Sequence, residues 1–119
     1  MAEKRNARLH IHVSETRKEI ADCHGNTGLY PVEYLDSIYF FQPGTICAHA
    51  SCVKKNEIRI LKKHEATAVH CPSSNMKLAC GGTLSLPAYM EAGVDVRLGT
   101  DGAASSGNGI NMQAEARLA

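Results

Sequence analysis

Hydrophobic residues in this chain occur in short runs that are separated by longer amphipathic stretches. Short apolar runs between turn residues are typical of buried strands, and helical spacing of apolar residues is typical of helices. The runs at 9–13, 45–48, 66–70 and 94–98 therefore predict strands. The stretches at 15–23, 31–37, 54–64, 84–92 and 111–119 predict helices, of which the first ends at His24-Gly25 and the fourth at Gly93.

The order of these elements predicts an α/β fold with parallel strands. Strands that alternate with helices imply right-handed crossovers between parallel neighbours. A doubly wound sheet and a (β/α)8 barrel both fit this order, and the predicted units make up half of such a barrel. No glycine-rich phosphate loop follows the first strand, which weakens the dinucleotide-binding alternative.

Composition excludes several classes of protein. The 119 residues carry a formal net charge of +1, no Trp and 5% aromatic residues, so no nucleic-acid partner is expected. The five cysteines are odd in number and form no CxxC pair, which argues against a secreted disulfide framework or a zinc ribbon. No run approaches the ~20 apolar residues of a membrane helix. We therefore expect a cytoplasmic protein with reduced thiols and no membrane partner.

Both ends of the chain have the pattern of interrupted helices. Residues 3–7 resemble the end of one helix, and the 111–119 stretch stops without a cap. A half barrel would also leave two parallel strand edges unpaired. We therefore expect residues 1–119 to be one part of a catalytic barrel, with no second domain.

Chemically active side chains lie at the ends of the predicted strands. His12, His49 and His70 lie at or just after the ends of the first three, and Asp101 follows the fourth. The carboxyl ends of the strands of a parallel barrel form the face on which active sites are built. A lone histidine is more often a hydrogen-bonded core residue, and Asp101 between glycines also suits an Asx turn. The recurrence on consecutive strands favours a functional site.

These residue types suit a metal-dependent hydrolytic site. Imidazole nitrogens and carboxylate oxygens are ligands for Zn²⁺, Fe²⁺ or Mn²⁺. Such an ion lowers the pKa of a bound water towards ~7, which provides hydroxide at neutral pH. Glu15 follows His12 at the strand-to-helix turn, where its carboxylate can transfer protons or simply interact with the helix dipole.

Two loops on the same face hold further hydrogen-bonding groups. They span residues 73–78 and 105–109, and their candidate substrate contacts are Asn75 and Ser105. An ordinary βα loop is the alternative for the first. The Asn- and Gly-rich composition of the second suggests a mobile loop.

The motifs around these residues resemble the amidohydrolase superfamily. They are H-V-S-E-T at 12–16, A-H at 48–49, V-H-C-P-S-S-N-M-K-L at 69–78 and L-G-T-D-G-A-A-S at 98–105. The pattern is most similar to the branch of 5-methylthioadenosine/S-adenosylhomocysteine deaminases, which also contains 5′-deoxyadenosine deaminases and triazine chlorohydrolases. The resemblance covers nearly the whole chain, and it implies strands five to eight of a metal-dependent hydrolase TIM (β/α)8 barrel.

The resemblance implies a role for each matching residue. His12 and Asp101 would ligate the metal, which would be zinc, with iron or manganese as alternatives. Glu15 would protonate the ring nitrogen beside the attacked carbon, and His49 would orient the metal-bound hydroxide. Asp101 would also take the proton of the attacking water. The implied reaction is hydrolytic deamination of a small adenosine-type nucleoside.

The sequence also departs from the family pattern. The family's first strand carries a His-x-His pair that completes the metal site, and no such pair precedes Glu3. Ala50-Ser51, Cys71 and Cys80 replace commoner residues. Triazine dechlorination and deamination of guanine or cytosine are therefore alternative activities. Another alternative is a non-catalytic relic or interaction piece, and a third is a homo-oligomer in which two copies complete one barrel.

Overall fold

Parallel strands form one continuous sheet in the protein. The computed structural model describes Arg5, residues 7–102 and residues 109–119. The sheet has the order β1-β2-β3-β4, with β1 at His10–Val13, β2 at Ile46–His49, β3 at Thr67–His70 and β4 at Asp95–Leu98. All three neighbouring pairs are parallel. Because strands follow one another in chain order without a switch point, the topology is that of a barrel rather than a doubly wound sheet.

The helices lie between and after the strands. They are α1 at Arg17–Thr27, α2 at Pro31–Ser37, α3 at Lys55–Lys63, α4 at Pro72–Lys77, α5 at Leu86–Ala92 and α6 at Met112–Leu118. Within the described residues no helix is long and apolar enough to cross a membrane.

The hydrophobic core lies between the sheet and the outer helices. Cys47 and Ala68 contribute from the strands, and Val32, Leu61 and Tyr89 contribute from the helices; all five are fully buried. Burying a side chain such as Leu61 contributes roughly 1.5–3 kcal/mol to stability. The apolar side of α3 that the sequence predicts is the side that packs into this core.

Helix α1 is longer than the sequence predicts. It continues through His24-Gly25 to Thr27, and Gly28 ends it with a left-handed φ of 75° and an N–H that donates to the His24 carbonyl. A glycine inside a helix costs only about 1 kcal/mol relative to alanine, so Gly25 alone does not stop the helix. The left-handed cap at Gly28 ends the helix.

Helix α4 occupies the segment that the sequence predicts as a loop. Pro72 suits its first turn, because proline lacks the N–H that remains unpaired there. The Ser73 N–H donates to Oε2 of Glu115 on α6 at 3.0 Å. This contact joins segments far apart in the sequence, so the local pattern did not reveal it.

A buried carboxylate joins α2 to α3. Glu57 is fully buried, and its two oxygens accept hydrogen bonds from the N–H groups of Val32 at 3.1 Å and Lys54 at 2.9 Å. Burial raises the pKa of Glu57, and the two N–H groups oppose that rise. The side chain thus satisfies the first turns of two helices at once.

Candidate active site

The carboxyl ends of the strands bring four of the sequence-predicted residues together. Nε2 of His12 is 3.8 Å from Oδ1 of Asp101. Nε2 of His49 is 3.8 Å from Oε2 of Glu15 and 3.9 Å from Oδ2 of Asp101. The cluster therefore joins residues that lie at or after the ends of three different strands, at the edge where a parallel barrel places its active site.

Three of these residues can act as ligands to one metal ion. The ligand atoms of His12, His49 and Asp101 all lie within 4.8 Å of one another. Imidazole nitrogens with a carboxylate oxygen form a donor set that suits zinc, iron or manganese. His49 is buried, whereas His12 is exposed, so one side of the cluster is accessible to a small molecule. The residues present fit a catalytic metal.

The backbone is strained where it presents these side chains. Ser14, His49, Ala50 and Asp101 have positive φ values of 51°, 65°, 44° and 56°. Such conformations cost about 1–3 kcal/mol each and persist where surrounding contacts impose them. One such contact comes from α5, where the buried Tyr89 hydroxyl donates to the Ala50 carbonyl at 2.7 Å. This contact holds the backbone next to His49 in its strained conformation.

A glycine lets the end of β4 approach β3. The Gly99 N–H donates to the His70 carbonyl at 2.9 Å. A Cβ atom at Gly99 would lie 2.7 Å from Cγ1 of Val69 and 3.2 Å from Sγ of Cys71. A larger residue there would separate the strands and displace Asp101, which follows two residues later.

Helix α4 contacts two members of the cluster. The Ser74 hydroxyl donates to Oδ2 of Asp101 at 2.6 Å. Oδ1 of Asn75 is 2.8 Å from Nδ1 of His49, and its Nδ2 donates to the Ser51 hydroxyl. Adjacent residues of one helix therefore hold side chains that come from β2 and from the end of β4.

Comparison with known proteins identifies the family. Residues 1–119 match the Amidohydrolase family. The chain belongs to that family. It is 42% identical to 5′-deoxyadenosine deaminase from Methanosphaera stadtmanae over 99% of this chain and 27% of that protein. It is 43% identical to 5-methylthioadenosine/S-adenosylhomocysteine deaminase from Aquifex aeolicus over 97% of this chain and 26% of that protein.

A solved amidohydrolase has the same arrangement of elements. The crystal structure of an adenosine deaminase from Xanthomonas campestris with bound zinc superposes with a TM-score of 0.90 at 33% identity. The match covers 98% of this chain and 26% of that one. These comparisons confirm the predicted α/β fold as part of an amidohydrolase TIM barrel. The chain spans about a quarter of the length of the curated relatives it matches.

The turn that carries Glu15 in this amidohydrolase is held by Glu19, a residue that the sequence analysis did not single out. Its Oε1 accepts from the Ser14 N–H at 2.7 Å, and its Oε2 accepts from the Glu15 N–H at 2.8 Å. The Thr16 hydroxyl accepts from the Glu19 N–H and caps α1. The T-x-x-E spacing of a capping box is the sequence signal that could have identified this residue.

Cys80 contacts the Glu15 carboxylate from the other side. Its thiol lies 3.5 Å from Oε1 of Glu15, with sulfur as the donor. Burial, followed by the negative charge of Glu15, raises the pKa of Cys80 to about 11. A thiol with that pKa is protonated at neutral pH, so Cys80 supports Glu15 as a hydrogen-bond donor and does not act as a nucleophile.

The other polar residues considered for the site are not members of the cluster, although Asn75 forms a hydrogen bond with His49. His70 is buried, and burial lowers its pKa, so the ring is neutral at physiological pH. His10 is exposed, and its ring stacks on His12 with centroids 5.8 Å apart. Asn75 is buried with its amide engaged by protein groups. Ser105 lies outside the described residues.

Proposed function

We propose that this chain is part of a cytoplasmic, metal-dependent deaminase that hydrolyses adenosine-type nucleosides such as 5-methylthioadenosine and S-adenosylhomocysteine. The observation that carries the proposal is the convergence of Glu15, His12, His49 and Asp101 at one edge of the sheet. The relatives at 42% and 43% identity are named as nucleoside deaminases, which supports this substrate class.

The residues of the cluster divide the steps of the proposed reaction between them, and Asp101 has two roles. His12 and Asp101 would hold a zinc ion, with iron or manganese as alternatives, and the ion supplies a water activated as a nucleophile. The water adds to C6 of the purine, and the Asp101 carboxylate accepts its proton. Glu15 protonates the neighbouring ring nitrogen, since a carboxyl at the strand edge is placed for general acid catalysis.

His49 orients the attacking water, because its Nε2 accepts a hydrogen bond from that water. Its Nε2 faces both Glu15 and Asp101, so it lies beside the place where oxygen joins the ring. Holding a nucleophile in the correct orientation beside the atom that it attacks lowers the barrier of the reaction. The C6–N bond then breaks: the amino group takes the proton held by Asp101 and leaves as ammonia. The added hydroxyl becomes the C6 carbonyl and returns its proton to Glu15.

The proposal is tested by a substrate panel on the complete gene product purified with zinc. Ammonia release would be measured with 5-methylthioadenosine, S-adenosylhomocysteine, adenosine, guanine and cytosine, and chloride release with a chlorotriazine. We expect the adenosine-type nucleosides to give the highest kcat/KM. Turnover of the chlorotriazine without turnover of any nucleoside would replace the proposed reaction with dechlorination.

A further inference from the structure

We propose that Asn75 is a positioning residue that fixes the tautomer and the ring orientation of His49. The inference rests on the proposed function, because it concerns how His49 presents Nε2 to the reacting centre. It assigns Asn75 a role through another residue, whereas the sequence analysis expected a contact with the substrate.

The hydrogen bonds of the Asn75 amide define which nitrogen of His49 carries the proton. Its Oδ1 faces Nδ1 of His49 at 2.8 Å, and its Nδ2 donates to the Ser51 hydroxyl. A carbonyl oxygen only accepts hydrogen bonds, so Nδ1 must donate. In the neutral ring, Nε2 is then the unprotonated nitrogen, and it points at Glu15 and Asp101.

Because the site is buried, the hydrogen bond between Asn75 and His49 determines the tautomer and the orientation of the imidazole ring. His49 is 1% exposed, Asn75 is 5% exposed and Ser51 is 7% exposed. Water therefore does not compete for Nδ1, and a buried donor without a partner is strongly disfavoured. Without the Asn75 oxygen, the imidazole would rotate or shift its proton to Nε2 to regain a partner.

The helix that carries Asn75 is itself held firmly. The Asn75 N–H donates to the Cys71 carbonyl at 3.0 Å, and the neighbouring Ser74 bonds Asp101. The first turn of α4 is tied to α6 by Glu115. A rigid support of this kind is what precise orientation of a catalytic side chain requires.

Substrate contact by Asn75 agrees less well with the geometry. Both the carbonyl and the amino group of its amide are already bonded within the protein, and the side chain is buried. A residue that binds substrate offers a free polar group on the accessible side. The two roles also predict different kinetic effects, because loss of a substrate contact raises KM and loss of orientation lowers kcat.

The test compares Asn75→Leu with Asn75→Asp in the complete gene product. Leucine has a similar volume and no acceptor, whereas aspartate keeps an oxygen for the Nδ1 proton. We expect Asn75→Leu to lower kcat on 5-methylthioadenosine by about 10- to 100-fold with KM little changed, the range seen for outer partners of site histidines. Asn75→Asp should recover part of that loss.

A second readout does not depend on activity. Imidazole nitrogen shifts of His49 in histidine-labelled protein should show the proton on Nδ1 in the native chain and in Asn75→Asp. In Asn75→Leu the proton should move to Nε2. Asn56→Leu, which removes an exposed amide on α3, is the matched control and should leave kcat and the shifts unchanged.

The outcomes separate this inference from the proposed function. An unchanged tautomer in Asn75→Leu, or a rise in KM alone, would overturn the positioning role. A protein that deaminates no nucleoside would overturn the proposed function, and the nitrogen shifts would still decide whether Asn75 controls His49. If the leucine variant fails to fold, loss of the proton from Nδ1 in Asn75→Asp would equally contradict the inference.

Discussion

At the residue scale, the cluster combines exposed and buried groups with separate partners. Glu15 has one oxygen toward His49 and the other toward the Cys80 thiol, so its carboxylate is oriented without being enclosed. Asp101 is oriented by the Ser74 hydroxyl and lies near both histidines. These contacts give each carboxylate its own set of neighbours, which allows them to have different roles.

Glu15→Gln tests whether this carboxyl transfers protons or ligates metal. We expect kcat to fall by about 10²–10⁴-fold, because an amide cannot act as a general acid. Zinc content should be retained, since His12 and Asp101 are untouched. Both are measured on the same preparation, by ammonia release and by elemental analysis. Glu91→Gln on the exposed surface of α5 is the control, and loss of zinc in Glu15→Gln would reassign the residue as a ligand.

At the element scale, charged contacts between helices connect the outer layer. Nε2 of His64, at the end of α3, is 2.6 Å from Oδ1 of Asp36 on α2, and the Lys63 ammonium is 3.5 Å from the same carboxylate. The hydrogen bond from His64, followed by the nearby charge of Lys63, lowers the pKa of Asp36 below its usual value. The ring of His64 also stacks on Phe41, so the pair anchors the segment that leads into β2.

This lowered pKa makes part of the stability depend on pH. Because the folded state favours the charged carboxylate, the contribution is present above the unfolded pKa of about 4 and is lost as pH falls through the lower folded pKa. In the complete gene product, the free energy of unfolding of Asp36→Asn should therefore fall below that of the unsubstituted protein at pH 6, and the difference should shrink towards pH 3. Urea titrations across this range measure it, and a difference independent of pH would contradict the assignment.

The elements that the sequence predicts well are those whose signal is local. Short apolar runs predicted all four strands to within one or two residues of their observed bounds. The polar residues at or after the strand ends, such as His12 and Asp101, lie close together, as the parallel order implies. Helix α4 and the carboxylates of Glu57 and Glu115 were not predicted. Their hydrogen bonds join positions 25 and 42 residues apart, and along the sequence each glutamate looks like an ordinary surface charge.

At the scale of the whole molecule, the described sheet has two edges. Strands β1 and β4 each pair on one side. The side chains of His10 and His12 on β1 and of Asp95 and Arg97 on β4 are exposed. Unpaired parallel edges readily pair with other chains. The described fold is thus only part of a closed barrel.

We therefore expect the 119-residue chain to self-associate when it is expressed alone. Light scattering during a dilution series should show oligomers or aggregates that persist at micromolar concentration, as for other species with exposed strand edges. The matched comparison is the same segment within a full-length barrel. A monodisperse monomer that melts cooperatively would show that the edges are satisfied within the single chain.

The contacts of helix α4 also bear on how genes of this family can recombine. A crossover between codons 51 and 74 would combine Asn75 from one parent with His49 and Ser51 from the other. A crossover between codons 75 and 101 would combine Ser74 from one parent with Asp101 from the other. Residues 49–101 should consequently come from the same parent gene if these hydrogen bonds are to be kept. Chimeric libraries that place their junctions outside residues 49–101 would leave the hydrogen-bonded support of the site intact.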